Sequence, residues 1–454
     1  MNITNHPASF RDPDGAILFI DNVLHRFVSN NFKSKYDKLM NSGLHKELVK
    51  NQFIVDHEEN GEREGGFLIK PELISNISYP YEWSFSQLKD AALLTLKIQE
   101  VAIEHGMSLK DASAYNIQFQ NGKPIFIDTT SFENFSEGQA WVAYKQFCQH
   151  FLAPLALMSC TDIRLGSLLK NYIDGIPLDL AASLMPLKSK LSLGLSMHLF
   201  FHAKMQGKYS DSGISKQEVK KIPKMQTLGI LDSLKTTISK LKLSTVDTEW
   251  GDYYNNTNYS DESFNEKKEL IKSFSKELKL KKVWDLGANR GVFSRIFADQ
   301  GINTIAWDID PIAVEKNYNQ IKKSSETSIS PLLVDLTNPT PSIGWSLVER
   351  DSFVERAKDV DLVMALALIH HLAIGNNVPL EQIAMFFSKL SENLIIEFVP
   401  KGDSQVDILL SSREDIFSDY NESGFEKAFS EYYTVEKKEN VQGSKRTLYL
   451  LKKK

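Results

Sequence analysis

Short apolar runs alternate with polar or amphipathic segments in the second half of the chain. These runs begin at Val283, Thr304, Leu332, Leu362 and Leu394. Such runs are typical of strands buried on both faces, and their separation by amphipathic segments predicts a parallel sheet with crossover helices. Two further β-prone runs, Tyr433–Glu436 and Thr447–Leu451, bracket a polar turn. They predict an antiparallel hairpin at the edge of the same sheet.

The first half of the chain mixes a clear helix with strand patterns. Ser84 and Gln87 form a capping box ahead of a helical apolar stripe that ends at Gly106. Ile117–Phe119 and Ile125–Ile127 flank an Asn-Gly turn, which predicts a hairpin. The pattern is mainly helical from there to about residue 207. We therefore expect an α+β fold for this half.

A change in composition between residues 210 and 280 predicts a domain boundary. Lys, Ser, Thr and Asn dominate there and large apolar residues are sparse, although residues 230–241 keep helical spacing. Because 454 residues exceed one ordinary hydrophobic core, we expect more than one domain. The predicted division is an N-terminal domain over 1–225, a linker over 226–247 and a C-terminal domain over 248–454.

Composition narrows the class of protein. The chain is 42% hydrophobic and 24% charged, and its net charge of −5 gives no electrostatic reason for tight binding to nucleic acid or an anionic membrane. The net charge does not exclude an RNA substrate that is bound at a local site. Two cysteines can form neither a zinc cluster nor a disulfide framework, and no apolar run approaches the ~20 residues of a membrane span. We expect a soluble cytoplasmic protein without a signal peptide.

The segment Val283–Gly291, V-W-D-L-G-A-N-R-G, carries the most specific chemistry. It leads a buried strand into a glycine loop and then into a helix expected over about Val292–Gln300. Asp308 ends the next strand, where a carboxylate can accept hydrogen bonds from ribose hydroxyls. A dinucleotide requires glycine where Asn289 stands. Asp285 at the strand end would repel a pyrophosphate but suits the cationic amino-acid end of S-adenosylmethionine.

The loop D-L-G-A-N-R-G resembles motif I of class I S-adenosylmethionine-dependent methyltransferases, D/E-x-G-x-x-x-G. Trp307-Asp308, Leu333–Leu336 and Asp361–Leu372 resemble the ends of the second, third and fourth strands of that family, in the same order. The resemblance covers about residues 245–454. It implies an α/β fold, with a Rossmann-like seven-stranded methyltransferase domain at the C-terminus that binds S-adenosyl-L-methionine.

The same resemblance implies roles for single residues. Asp285 would hold the loop and the amino group of the ligand, Asp308 the ribose hydroxyls, and Asp335 the adenine amino group. Further contacts are implied for Gly287, Ala288, Asn289, Gly291, Leu336 and Ala365. Two alternatives stay open, because Asp310 competes for the ribose role and Asp335 could instead cap a turn.

The sequence specifies the general base and the methyl acceptor less clearly than the cofactor-binding residues. Methyl transfer needs a base only if the acceptor must lose a proton, and His370, His371 and Glu397 are the candidates near the strand ends. We select His370, with packing, capping and metal ligation as alternatives for the His pair, and we expect no metal. The fourth strand lacks an Asn/Asp-Pro-Pro-aromatic turn, which disfavours an exocyclic amine. The aromatic residues of Trp250–Tyr259 either line an acceptor pocket or pack the connector.

A wider resemblance reaches into both halves of the chain. The segments are Leu109–Phe132, Trp141–Leu157, His370–Leu380 and Ile396–Lys401. They are similar to bacterial two-domain nodulation-type methyltransferases. The resemblance implies that the N-terminal domain recognises the acceptor or acts as a scaffold. It names neither the acceptor, nor O-, N- or C-methylation, nor the oligomeric state.

The N-terminal domain has a second interpretation. Asp111, Asn116 and Asp128 have the spacing with which kinases orient a hydroxyl and bind magnesium. Leu109 stands in place of the usual His, Thr129-Thr130 in place of Phe-Gly, and no Gly-rich phosphate loop precedes them. Three hypotheses remain: a phosphotransferase using ATP and magnesium, a degenerate kinase-like fold kept for binding, and an unrelated domain. A non-enzymatic S-adenosylmethionine-binding protein is a further alternative for the whole chain.

Overall fold

The computed structural model describes residues 2–204, 223–243 and 261–454. The chain divides into two compact units. The first comprises Met1–Val246 with Gly344–Arg350, and the second comprises Asp247–Ile343 with Asp351–Lys454. Trp250–Tyr259, the expected source of pocket aromatics, lies outside the described residues. No helix in the described ranges is long and apolar enough to cross a membrane.

The first unit contains a five-stranded antiparallel sheet in the order β1-β2-β3-β5-β4 and two small hairpin-like sheets, β6-β9 and β7-β8. Its strands are β1 (Ile3–Asn5), β2 (Gly15–Ile20), β3 (Val23–Ser29), β4 (His57–Arg63), β5 (Gly66–Pro71), β6 (Met107–Leu109), β7 (Ile117–Gln120), β8 (Lys123–Phe126) and β9 (Phe132–Asn134). The predicted Asn-Gly hairpin is confirmed, since β7 and β8 pair across it.

The first unit also contains α-helices within its described residues. They are α1 (Lys33–Asn41), α2 (Leu44–Lys50), α3 (Phe85–Glu104), α4 (Tyr144–Phe147), α5 (Ala153–Cys160), α6 (Leu168–Asn171), α7 (Leu178–Leu184), α8 (Leu193–Leu195) and α9 (Lys224–Lys240). The capping box that begins α3 is confirmed: Gln87 N donates to Ser84 Oγ over 3.3 Å, and Ser84 N donates to Gln87 Oε1 over 2.9 Å.

Helix α9 differs from the expected linker over 226–247. Its residues Leu231, Leu234 and Ile238 are fully buried, and the helix packs against α3. Lys89 of α3 adds two hydrogen bonds from Nζ, to Ser239 O and to Leu241 O. The polar composition of the segment concealed a narrow apolar stripe, which is all that a helix needs to join a core.

The second unit is built on a seven-stranded sheet in the order β12-β11-β10-β13-β14-β16-β15. Its strands are β10 (Lys282–Leu286), β11 (Asn303–Asp308), β12 (Ile329–Leu333), β13 (Leu362–Ala365), β14 (Asn393–Phe398), β15 (Tyr433–Asn440) and β16 (Thr447–Lys453). Strands β10 to β14 are parallel, and β16 pairs antiparallel with both β14 and β15. The α/β fold expected here and its edge hairpin are confirmed; β12 begins three residues earlier than predicted.

Helices pack on the faces of this sheet. They are α10 (Asp261–Ser275), α11 (Arg295–Ala298), α12 (Pro311–Ser324), α13 (Leu380–Ser388), α14 (Ser404–Leu410) and α15 (Glu422–Ser430). A core cluster joins Ile271 and Phe274 of α10 to the strands. Helix α11 is shorter than the expected Val292–Gln300. The turns around it use tighter three-residue hydrogen bonds, from Ile296 N to Phe293 O and from Phe297 N to Ser294 O.

A short segment between β12 and β13 belongs to the first unit rather than to the second. Within Gly344–Arg350, Glu349 accepts a hydrogen bond of 2.6 Å from Arg11 Nη2. The guanidinium of Arg350 stands 4.0 Å from the ring centroid of Tyr115. An ion pair and a cation–π contact between residues more than two hundred positions apart leave no local pattern in the sequence.

Candidate functional site

The carboxyl ends of the parallel strands β10, β11, β12 and β13 meet at a cavity of about 280 Å³ in the second unit. Open parallel sheets bind ligands at this edge. The cavity wall contains acidic, amide, aromatic and aliphatic groups: Phe264, Lys267, Asp285, Gly287, Ala288, Asn289, Phe293, Asp308, Ile309, Val334, Asp335, Leu336, Thr337, Leu366, Ala367, Leu368, His371, Leu372 and Asn376.

Asp285 is the next-to-last residue of β10 and is almost fully buried at the cavity wall. Ser294 Oγ donates to Asp285 Oδ2 over 2.6 Å, which orients the carboxyl group. Burial raises the pKa of Asp285 to about 7, against the opposing effects of Ser294 and the Lys267 ammonium. A carboxyl group held half-ionised near neutral pH is poised to ionise fully when a cationic group enters the cavity.

Asp308 ends β11, and its two oxygens hold the adjoining backbone. Oδ2 accepts from Asn289 N over 2.6 Å, and Oδ1 accepts from Asp310 N over 2.8 Å. Burial raises the pKa of Asp308 to about 6. Asp310, its rival for the ribose role, instead caps α12 by accepting from Ile312 N over 2.7 Å, and it is not part of the cavity wall. The geometry therefore favours Asp308 as the acidic group that faces a ligand.

The two glycines of the loop differ in position. Gly287 has a φ of +75° and lines the cavity, so a side chain there would be strained and would lie 3.3 Å from Leu368 Cδ1. Gly291 has a φ of +72° and lies away from the cavity wall. A Cβ at Gly291 would lie 2.6 Å from Asn317 Nδ2. At Gly291 the loop therefore packs closely on α12.

Arg295 ties this loop to α12 and was missed at the level of sequence. Its Nη1 donates to Arg290 O over 2.7 Å and to Gly291 O over 3.0 Å, and its Nη2 donates to Asn317 Oδ1 over 2.9 Å. An ion pair of 2.9 Å to Glu326 completes the set. A planar guanidinium with this many partners holds the backbone in one conformation, so the loop has its shape before any ligand binds.

Asp335 and Leu336 follow β12 and line the cavity together with Val334 and Thr337. Asp335 Oδ1 accepts from Thr337 N over 2.9 Å and from Thr337 Oγ1 over 2.6 Å. One of the two carboxylate oxygens of Asp335, Oδ1, thus caps the turn, as the alternative interpretation expected. A carboxylate can serve a turn with Oδ1 while its Oδ2 accepts a hydrogen bond from another group.

A buried ion pair includes Lys267 of the cavity wall. Lys267 Nζ of α10 is 2.7 Å from Glu397 Oε2 of β14, and both side chains are at most 2% exposed. The same oxygen accepts from Ala367 N over 2.7 Å. Lys267 Nζ also lies 4.7 Å from the Phe293 ring centroid. Glu397 is thus committed to a cation and a backbone amide, which removes it from the candidate bases.

The two adjacent histidines, His370 and His371, differ in their position relative to the cavity. His371 lines the cavity, and burial lowers its pKa to about 4, so its imidazole is neutral at pH 7. His370 is 1% exposed and is not among the described residues of the cavity wall, and neither is Ala365, which is buried within β13. Of the two histidines, His371 is therefore the one at the cavity wall, and Ala365 has a packing position in β13.

Lys267 is the cavity residue whose importance the sequence could have indicated. It stands three residues after Phe264 and four before Ile271, on the apolar stripe of an amphipathic helix. A lysine inside such a stripe requires a buried partner or a ligand. The partner, Glu397, lies 130 positions away and only folding reveals it.

The residues with kinase-like spacing, Asp111, Asn116 and Asp128, are only partly brought together in the first unit. Ser131 Oγ donates to Asp128 Oδ2 over 2.5 Å and lies 3.1 Å from Asn116 Nδ2, so it links these two residues. Asp128 Oδ1 is occupied by the guanidinium of Arg26 on β3. Asp111 Oδ1 accepts from Ser113 N over 2.9 Å in its own loop. The cation that faces Asp128 is therefore a side chain of the protein.

Comparisons with known proteins identify one close relative in sequence. The chain is similar to nodulation protein NoeA of Rhizobium meliloti (strain 1021), with 35% identity over 97% of this chain and 94% of that protein. No protein-family model matches the chain.

Solved structures give weaker likenesses. The magnesium protoporphyrin IX methyltransferase ChlM of Synechocystis PCC 6803, with bound S-adenosylhomocysteine, is 15% identical with a TM-score of 0.32, over 45% of this chain and 93% of its own. The bifunctional kinase-methyltransferase WbdD is 13% identical with a TM-score of 0.28, over 42% of this chain and 38% of WbdD. At these TM-scores the likenesses carry no functional information.

Proposed function

Because this chain belongs to the family of nodulation protein NoeA, whose name specifies no chemistry, we propose its function from the cavity: the second unit transfers a methyl group from S-adenosylmethionine to an acceptor. The observation that carries the proposal is the convergence of Asp285, Asp308 and Asp335 on one cavity beside the positive-φ Gly287. These acids stand at the ends of three adjacent parallel strands. Their spacing along the sheet edge suits one ligand that carries an ammonium, a ribose and an aromatic base.

The donor set of the cavity fits the adenosine part of that ligand. We assign the ribose hydroxyls to Asp308, whose carboxylate is fixed by the amides of Asn289 and Asp310. Asp335 accepts from the adenine amino group, while Leu336 packs against the ring. Carboxylates bind hydroxyl and amino donors, and an aliphatic side chain contacts an aromatic face without competing for hydrogen bonds.

The amino-acid part of the ligand is assigned to the end of β10. Asp285 would bind the ammonium group, and Gly287 lets the backbone approach where a Cβ would be strained. Lys267 lines the same region within the electrostatic range of Asp285. Its pairing with Glu397 keeps this cation in place, so the cavity holds both signs of charge, as a zwitterionic ligand requires.

Bound S-adenosylmethionine supplies a methyl group on a sulfonium, which an acceptor displaces in line. The residues contribute position above all, because holding an acceptor against that carbon converts a bimolecular step into a unimolecular one. His371 is the candidate base for an acceptor that must lose a proton, since its imidazole is neutral at pH 7 and lines the cavity. Phe264, Phe293 and Leu372 keep water away from the reacting atoms.

For the first unit we propose acceptor recognition or a scaffold role. Phosphotransfer with ATP and magnesium is the alternative, and it requires Asp128 to exchange Arg26 for a metal ion. Breaking this partly buried pair costs energy that magnesium binding must supply. The contact therefore favours the non-catalytic role.

The cofactor proposal is tested by calorimetric titration of the full chain with S-adenosylhomocysteine. We expect one site per chain with micromolar affinity, and at least tenfold weaker binding by Asp308→Ala, a loss of about 1.4 kcal/mol. Asp299→Ala is the matched control, because Asp299 is an exposed acid of the same unit outside the cavity wall. Equal affinity of the Asp308 variant and the wild type would remove the ribose assignment.

Activity needs a separate assay. Incubation of the chain and a cell extract with methyl-labelled S-adenosylmethionine should transfer label to an acceptor, and Asp285→Asn should abolish the transfer. Tight ligand binding without any transferred label would favour the non-enzymatic alternative. Failure of both assays would refute the proposal.

A further inference from the structure

A cluster of ligating side chains lies in the first unit, outside every site described above. We propose that His45, Asp56 and His57 bind one zinc ion. His45 lies on α2, and Asp56 and His57 lie at the start of β4. One ligand atom from each of the three residues lies within 4.8 Å of the others, and the two imidazole centroids are 4.5 Å apart.

The hydrogen bonds of His57 leave one ring nitrogen ready for a metal. Tyr36 OH donates to Glu59 Oε1 over 3.1 Å, so the oxygen of Tyr36 is left to accept from His57 Nε2, 3.0 Å away. The proton of His57 therefore resides on Nε2, and its Nδ1 carries a lone pair. Nδ1 is buried without a hydrogen-bond partner. Metal-binding histidines are oriented in this way, by donating the opposite N–H to a fixed acceptor.

His45 supplies the second orphaned nitrogen. Its side chain is 4% exposed, and its Nε2 is buried with no hydrogen-bond partner. The neutral imidazole is the form of histidine that binds a metal. Two unpaired buried nitrogens on adjacent rings would each carry a desolvation cost that a shared metal ion removes.

Asp56 completes the set and provides access. Its carboxylate is exposed, and Oδ1 accepts from His57 N over 2.8 Å. Rotation of this exposed side chain can bring an oxygen to an ion held between the rings, and the same opening gives an entry path. Two imidazoles and one carboxylate with a water in the fourth position form an open tetrahedral zinc site, whereas Mg²⁺ prefers oxygen ligands. The ion would join helix α2 to strand β4.

The test is calorimetric titration of the full chain with zinc chloride after treatment with a chelator. We expect one zinc per chain with at least micromolar affinity, and no competition from millimolar Mg²⁺. Asp56→Asn keeps an acceptor for His57 N but removes the charge, so zinc should bind at least tenfold more weakly. His105→Gln is the matched control, because both nitrogens of His105 already bind Ser42 O and Glu47 Oε2.

His45→Gln should abolish binding, and zinc should raise the melting temperature of the wild type but not of this variant. If the buried His45→Gln chain does not fold, the exposed Asp56→Asn variant decides the question. The proposal is overturned if the wild type binds no zinc, or if Asp56→Asn binds it as tightly as the wild type does. Loss of binding in His105→Gln alone would place the ion elsewhere and also overturn it.

Discussion

The affinity for S-adenosylhomocysteine should fall steeply as the pH is lowered, because of Asp285. Burial raises the pKa of this carboxyl group to about 7, and we assign it to the ammonium of the ligand, which requires the ionised form. The ionised fraction is roughly 75% at pH 7.5 and roughly 3% at pH 5.5 for that pKa. Affinity should therefore decrease about 25-fold over this range, which equals about 1.9 kcal/mol at 1.36 kcal/mol per tenfold.

Calorimetry measures this directly and offers an internal check. Binding at pH 6.5 should release roughly three quarters of a proton as Asp285 ionises, so the apparent enthalpy should depend on the ionisation enthalpy of the buffer. Asp285→Asn cannot ionise. It should bind more weakly than the wild type at pH 7.5, with a much flatter dependence on pH and a smaller proton release.

The reasoning is refuted if the wild type binds with constant affinity from pH 5.5 to 7.5. It is also refuted if Asp285→Asn keeps the full pH dependence of the wild type, which would assign the titration to another group, with Asp308 and its pKa of about 6 as the first alternative.

Three further predictions concern stability. The folded-state pKa of Asp285 lies above its unfolded value of about 3.9. Ionised Asp285 therefore destabilises the fold fully above pH 7 and not at all below about pH 4. Thermal melting should show that Asp285→Asn is more stable than the wild type at pH 8 and equally stable at pH 4. Gly291→Ala should lower the free energy of unfolding in urea by about 2 kcal/mol or more, because of the left-handed φ and the clash with Asn317. The control Gly301→Ala has a φ of +78° and open space around it, so it should lose only about 1 kcal/mol. Equal losses in the two variants would contradict the clash. Arg26→Met should destabilise the first unit by about 2 kcal/mol, since the partly buried carboxylate of Asp128 loses a charged hydrogen-bond partner, and an unchanged urea midpoint would show that the pair contributes nothing.

Local features of the fold were predictable because each depends on neighbouring residues. The capping box of α3 needs Ser84 and Gln87 three positions apart, and the β7–β8 hairpin needs an Asn-Gly turn between two apolar runs. The strands of the second unit were found because a strand buried on both faces must be apolar along its length. The acids at their ends then fell on one edge, since parallel strands place their carboxyl ends together.

Contacts between residues far apart in the chain could not be predicted from sequence patterns. The rings of His370 and His371 lie only 4.1 Å apart between centroids, so only the packing around them decided that His371 rather than His370 lines the cavity. The pairing of Lys267 with Glu397 depends on α10 packing across β14, at a separation of 130 positions.

The chain by itself thus determined the order of its elements and the chemistry carried at each strand end, because backbone propensity and hydrophobic periodicity act over a few residues. Tertiary structure alone decided which side chains meet. It committed Arg26 to Asp128, brought Gly344–Arg350 into the first unit and set the ring of His45 on α2 edge-on to that of His57 on β4. Burial set the charge states as well, since the pKa of Asp285 depends on removal of water that only the packed fold achieves.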